Sequence, residues 1–188
     1  YLNSVPCAFV FDDKLAIVNN PDVDPSATWS SIFSNDFWGK PVVEFDSHKS
    51  YRPLTILSFR AHTLFANPPD PAAFHAANVI LHAAASAAVT VLAASMWPPP
   101  APRQQTLLAG LLFAVHPVHV EAVTGIVGRA ELLCALCCFA TAAAYERLAA
   151  LGQPPFARLA WAACVFVGFF MAVLCKETGV TLLGVLGA

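Results

Sequence analysis

Asp12 and Asp13 stand side by side, directly after the apolar run Phe9-Val10-Phe11 and before Lys14. Two neighbouring carboxylates in that position can bind a cation, orient a hydroxyl or act as a general base, with burial raising the pKa of one. A solvated turn is the alternative for this feature alone. A second cluster is His116-Pro117-Val118-His119-Val120-Glu121, followed by Arg129-Ala130-Glu131. Pro117 should break or bend the helix that carries it, so that His116, His119 and Glu121 can face one cavity. Their spacing is not the HExxH pattern of zinc proteases; ligand binding and structural hydrogen bonding both fit the histidines. Arg129 offers a planar fork of donors to an anionic group, or else pairs with Glu131 or a phospholipid. The third cluster is Cys175-Lys176-Glu177-Thr178-Gly179.

The elements that must position these residues are membrane helices. Hydrophobic residues are 57% of the chain and charged residues 12%, against about a quarter charged in soluble domains. The net charge of -2 gives no basic surface for nucleic acid. The apolar residues come in blocks, over about 74–97, 105–120, 129–150, 159–175 and 178–188, the last cut off by the chain end. The first would measure about 36 Å as a helix, enough to cross a hydrocarbon core of about 30 Å. Runs rich in Ala, Leu and Val without polar alternation argue against a barrel, and helices satisfy their own backbone in lipid. The expected fold is an all-α, multi-spanning transmembrane bundle preceded by a long loop, residues 1–73.

Arg103, Arg147 and Arg158 fall in the two short connections on one side, so the positive-inside rule makes that side cytoplasmic. The long loop, His116 to Glu131 and Lys176-Glu177 are then luminal or extracellular. All three clusters thus gather at one membrane face. Within the loop, Ser26 is expected to cap a helix carrying Trp29, Ile32, Phe33 and Phe37. Arg52-Pro53 should start another, with Leu54, Leu57, Ala61, Leu64 and Phe65 as its apolar side. Such helices lie in the membrane interface or pack on the protein. Cys134 and Cys137 have CxxC spacing, but no second pair completes a zinc site, and small apolar packing is the expected role. His82, in an Ala-rich span, is expected to hydrogen-bond between helices.

The stretches FDDKLAIVNNPDV, IFSNDFWG, DSHKSYRPLTILSF, HPVHVEAVTGIVGRAELL and CKETGVT closely resemble the TMTC family, the transmembrane and tetratricopeptide-repeat O-mannosyltransferases. The resemblance covers the chain from about Phe9 to Gly184. It implies a fold of the multi-span GT-C class and an enzyme of the endoplasmic reticulum membrane. That enzyme would transfer mannose from dolichyl phosphate mannose to Ser or Thr of luminal proteins, notably cadherins. In that class an acidic residue early in the first luminal loop is catalytic, which falls on Asp12 or Asp13. Glu121 is the further candidate acid. His116 and His119 come with the second luminal loop, and Arg129 and Lys176 are the candidates for the donor phosphate. Inversion in one step is likewise implied by the class. No cofactor beyond the lipid donor is implied, and a divalent metal is left open. The family's repeat array has no counterpart in this chain. The competing readings are a related lipid-linked sugar transferase with another acceptor, a transporter using the His and Glu residues, and a non-enzymatic membrane partner.

Overall fold

The computed structural model describes residues 1–66 and 68–187, so the expectations touching Asn67 and Ala188 lie outside the described residues. The described residues are mostly helical, without strands: α1 (Ser31–Ser34), α2 (Pro53–Thr63), α3 (Pro71–Ser95), α4 (Arg103–Val115), α5 (Val120–Thr124), α6 (Arg129–Ala149), α7 (Pro155–Cys175) and α8 (Leu182–Leu186), with short 3-10 turns and a π-helical turn, Lys14–Val18, between or before them. Three helices are long and apolar enough to cross a membrane: Pro71–Ser95, Ile126–Ala149 and Pro155–Cys175. Their outward side chains are apolar and bare, for example Val91, Leu159, Phe166 and Val167. Lipid can cover such a surface, whereas water would leave it as an aggregation-prone patch. The chain is a multi-pass membrane protein.

Each span starts where the sequence supplies a start. Asp70 caps α3, its carboxylate accepting from Ala72 N at 3.0 Å, and Pro71 and Pro155 occupy first helical positions where no N–H is needed. α3 and α7 therefore begin at residues 71 and 155, earlier than the apolar blocks at 74 and 159. α6 packs mainly on α7, and α3 on α4 and α6. Close approach is set by small residues: a Cβ at Gly168 would run into Thr141 Oγ1 of α6, and one at Gly110 into Thr90 Oγ1 of α3.

The second block is not one straight span. α4 is only about 20 Å long at about 1.5 Å per residue. The helix breaks at His116-Pro117, and Arg103–Val115 meets Pro117–Thr124 at 46°. The bent pair counts as a fourth span if it crosses. At the far end the fifth block is a 3-10 turn over Glu177–Thr181 followed by the short α8. Ser95 Oγ donates to Glu146 Oε1 at 2.7 Å, so the C-terminal ends of α3 and α6 share one end of the bundle. The acidic, histidine and lysine clusters occupy the other end. Single cysteines introduced beside Arg103 and beside His116 are therefore expected to react with an impermeant reagent from opposite sides of sealed microsomes. Labelling of both from the same side would make α4 and α5 a re-entrant hairpin.

The first loop is a folded cap rather than a linker. Ala16, Ile17, Val23, Ile32 and Phe37 form one core with Ile56 and Phe59 of α2, Phe74 of α3 and Ile126. The helix expected from a Ser26 cap does not form. The Ser26 N–H and hydroxyl both donate to Asp24 Oδ1, at 2.7 and 2.6 Å, and only Ser31–Ser34 is helical. Buried Arg60 draws the carbonyls of Pro25, Ala27 and Thr28 to its guanidinium, which takes those acceptors away from a helix. α2 does begin at Pro53, but it packs through Thr55, Ile56, Phe59, Arg60 and Thr63. Leu54 and Leu57 are half-buried, and Leu64 and Phe65 are exposed. The apolar side read from the sequence is thus largely the outer one, which suits a helix lying against lipid.

Candidate functional site

Phe11 adopts a left-handed backbone, φ 43°, and its side chain is exposed. A bulky residue there is strained, and such strain concentrates at functional sites. The turn it makes sets the two acids in different surroundings. Asp13 is 2% exposed. One of its oxygens accepts from Val10 N and the other from Val127 N, each at 3.2 Å. Asp13 therefore fastens the first loop to the turn before α6. It makes no ion pair with its neighbour Lys14. Asp12 is exposed and has no hydrogen-bond partner among the described residues.

Both acids border a cavity of about 650 Å³ between the first loop and the spans. Its polar wall carries Asp12, Asp13, Glu121, Glu131, Arg52 and Lys176, and its apolar wall includes Ala85, Phe113, Leu132, Ala135 and Phe139. His82 and His119 stand between them, with the His119 ring 4.2 Å from that of Phe113 and 5.2 Å from that of His82. His82 Nε2 lies 3.0 Å from the Ala114 carbonyl and links α3 to α4, as expected from its lone place in the span. Trp38 closes another side of the cavity. Its loop is held by buried Asp36, which accepts from the Ser47 hydroxyl at 2.7 Å and from the amides of Trp38, Lys40 and His48. Burial pushes the Asp36 carboxyl up, but these four donors outweigh it and hold the group below its ordinary value.

The structure thus brings together Asp12, Asp13, Glu121, His119 and Lys176 at one end of the bundle, and it leaves two candidates out. His116 does not line the cavity. It is exposed, and its Nδ1 accepts from Val118 N at 3.2 Å, capping the turn that Pro117 starts. Arg129 is corrected more strongly. It is 1% exposed, and its donors are spent inside the protein. Nε bonds Asn78 Oδ1 at 3.0 Å, Nη2 bonds the Phe74 carbonyl at 3.0 Å, and Nη1 meets the Ser58 carbonyl and His62 Nδ1. Its guanidinium also lies over the rings of Phe59 and Phe74. Arg129 ties α2, α3 and α6 together and has no fork left for a phosphate. Nor does it pair with Glu131. Burial, then the nearby guanidinium, lower the pKa of His62.

Arg52 and Glu131 were not singled out as site residues. Arg52 Nε donates to both oxygens of Glu177, at 3.1 and 3.0 Å, and Lys176 Nζ pairs with Glu131. One signal was available for Arg52: a cation at the N-terminal end of α2 opposes the helix dipole. Cys134 and Cys175 pack in an apolar cluster with Cys137 and Cys138, in keeping with the packing role expected of them. Among the described residues no three His, Cys, Asp or Glu side chains converge in a metal-binding arrangement.

No family model matches the chain, and no solved structure matches it. Relatives are found by sequence. The chain is 42% identical to Protein O-mannosyl-transferase TMTC3 of Mus musculus over 187 residues, covering 98% of this chain and 19% of that protein. It is 43% identical to the Homo sapiens TMTC3, covering 98% and 20%. It is 41% identical to Protein O-mannosyl-transferase Tmtc2 of Drosophila melanogaster, covering 97% and 19%. The chain therefore spans about a fifth of the length of these relatives. At 41–43% identity over 97–98% of its residues, the chain belongs to the TMTC family, whose relatives named above are protein O-mannosyl-transferases.

Proposed function

We propose that this chain is the donor-binding and catalytic part of a membrane enzyme that moves mannose from dolichyl phosphate mannose to Ser or Thr hydroxyls of luminal proteins such as cadherins, in the endoplasmic reticulum. The observation that carries the reading is the two-sided cavity. Its aromatic and aliphatic wall lies among α3, α4 and α6, and its polar wall carries two cations and four carboxylates, of which Asp12 and Glu121 make no side-chain hydrogen bond among the described residues. A lipid-linked sugar phosphate has the same division, an apolar tail and a charged, hydroxylated head.

In this reading Asp12 orients the acceptor hydroxyl and takes its proton. The hydroxyl oxygen attacks the anomeric carbon of mannose from the side opposite the phosphate. The bond from that carbon to the phosphate oxygen breaks, and its electron pair leaves with dolichyl phosphate. Charge on the phosphate grows in the transition state, so a cation fixed beside it accelerates the step. Lys176, which lines the cavity, takes this role in the proposal. Asp13 acts through the backbone as a positioning residue, because its oxygens hold Val10 and Val127 on either side of the turn.

The test uses the full-length protein in lipid nanodiscs and a cadherin domain as acceptor. Labelled mannose is expected to reach the acceptor from dolichyl phosphate mannose and not from a nucleotide-linked mannose. Lys176→Ala should weaken use of the lipid donor by roughly ten- to a hundredfold, the value of a hydrogen bond to a charged group. Transfer from the nucleotide sugar alone, or unchanged donor kinetics in Lys176→Ala, would overturn the assignment of the cavity.

A further inference from the structure

Arg52 and Lys176 are both held by carboxylates, and the four residues form a crossed arrangement. Lys176 and Glu177 are neighbours in an extended link after α7, with Lys176 at φ -157° and ψ 141°. Lys176 reaches Glu131 at the start of α6, while Glu177 reaches Arg52 at the start of α2. The dipeptide thus bridges two helices at the cavity, giving a cation to one and an acid to the other. Arg52, Lys176 and Glu131 all line the cavity.

The pairing of Arg52 is incomplete. Only its Nε is used, by Glu177, and the Nη1 and Nη2 groups make no hydrogen bond among the described residues. The guanidinium lies 4.9 Å over the Phe37 ring, which fixes its plane. An arginine so held presents four N–H donors in a fork that matches phosphate oxygens. Lys176 adds a point charge on the same cavity wall. The carboxylates are weak occupants: the Glu177 and Glu131 side chains are 43% and 47% exposed, and exposed ion pairs contribute little.

We propose that Arg52 and Lys176 together form the seat for the phosphate of the lipid carrier, and that Glu177 and Glu131 are internal place-holders which the phosphate displaces. The proposal rests on the reading of the cavity as a site for a lipid-linked phosphate. It assigns Arg52 in place of Arg129 and adds an exchange of partners. A departing carrier is a phosphate monoester with about -1.5 to -2 charge near neutral pH, whereas the donor is a diester with one. Two cations therefore favour the spent carrier over the donor, and the enzyme should be inhibited by its own lipid product in competition with the donor.

The experiment measures binding of a short-chain polyprenyl monophosphate to the full-length protein in nanodiscs, with inorganic phosphate and the phosphate-free polyprenol as comparison ligands. The monophosphate should bind, and the polyprenol and inorganic phosphate should each bind far more weakly. Equal binding of the polyprenol removes the seat, and equal binding of inorganic phosphate makes it a site for free phosphate instead of the carrier. Arg52→Gln should weaken monophosphate binding at least about tenfold. Glu177→Gln should tighten it, roughly two- to fivefold, because the competitor is gone. A merely structural ion pair would move both variants in the same direction, since each loses the same contact. Arg52→Lys keeps the charge and the partner but loses the fork, and should fall between wild type and Arg52→Gln even if Arg52→Gln folds poorly. Arg103→Gln, at the opposite end of the bundle, should bind normally. Wild-type protein that binds the monophosphate yet transfers no mannose would sink the transferase reading and leave the seat standing. Normal transfer by wild type with unaltered binding in Arg52→Gln and Glu177→Gln would sink the seat alone.

Discussion

Asp12→Asn is expected to abolish nearly all mannosyl transfer by the full-length enzyme while leaving its thermal stability and its binding of the lipid donor unchanged. The Asp12 side chain is exposed at the cavity and makes no hydrogen bond among the described residues, so the fold does not depend on its carboxylate. The amide is nearly isosteric and can still accept a hydrogen bond, but it cannot take a proton. A general base contributes about 10²–10⁴-fold to the rate, and the loss should appear in kcat with little change in the KM for the donor. Asp13→Asn separates the two acids. The carboxylate of Asp13 accepts one backbone N–H on each oxygen. An amide in its place must point its NH2 at one of those N–H groups, leaving a buried donor unsatisfied, which typically costs about 1–3 kcal/mol. This variant should lower stability and loosen the Phe11 turn, with a smaller loss of transfer than Asp12→Asn. Near-normal transfer by Asp12→Asn with donor binding intact would move the search for the base to Glu121, an exposed acid on the cavity wall whose side chain makes no hydrogen bond or ion pair among the described residues.

The spans and the gathering of the clusters at one end were legible because both depend on long, unmixed signals. Lipid demands helices, and alternation of the connections then puts Asp12, His116 and Lys176 together whatever their side chains do. Pro117 announced the 46° break for the same local reason, since no alternative partner can repair a missing N–H. The failures share a cause. Ser26 was read as a helix cap from local spacing, but Arg60 and Asp24 claim the backbone groups that the helix would need. The apolar stripe of α2 left interface and protein packing both open, because such a stripe looks alike whether it meets a protein core or lipid. Arg129 and Arg52 have the same side chain, and a motif cannot say which has its donors consumed. That depends on Asn78, Phe74 and Ser58, residues 51 to 71 positions away, and such long-range partners leave no trace in local spacing.

Arg129→Ala should prevent stable folding rather than selectively impair donor use. The guanidinium satisfies Asn78 Oδ1, the Phe74 and Ser58 carbonyls and His62, and it fills the space over two aromatic rings. Asn78 in turn donates to the Gly125 carbonyl at 3.0 Å, so the network reaches the turn that holds Asp13's partner Val127. Truncation leaves several buried acceptors without donors and opens a void among α2, α3 and α6. Each buried acceptor left without a donor typically costs about 1–3 kcal/mol, and several together are comparable to much of a domain's net stability. Lysine is no substitute, because a single ammonium cannot reach partners on three helices in one plane. Both Arg129→Ala and Arg129→Lys should therefore reach the membrane in low yield and melt well below wild type, and a short-chain polyprenyl monophosphate should not restore them. The measurement is thermal denaturation of detergent-solubilised protein beside a donor-binding assay on whatever folds. A variant that melts like wild type but has lost donor binding would return Arg129 to the phosphate site. Loss of stability with ordinary donor affinity in the surviving fraction is the result that the hydrogen-bond network requires.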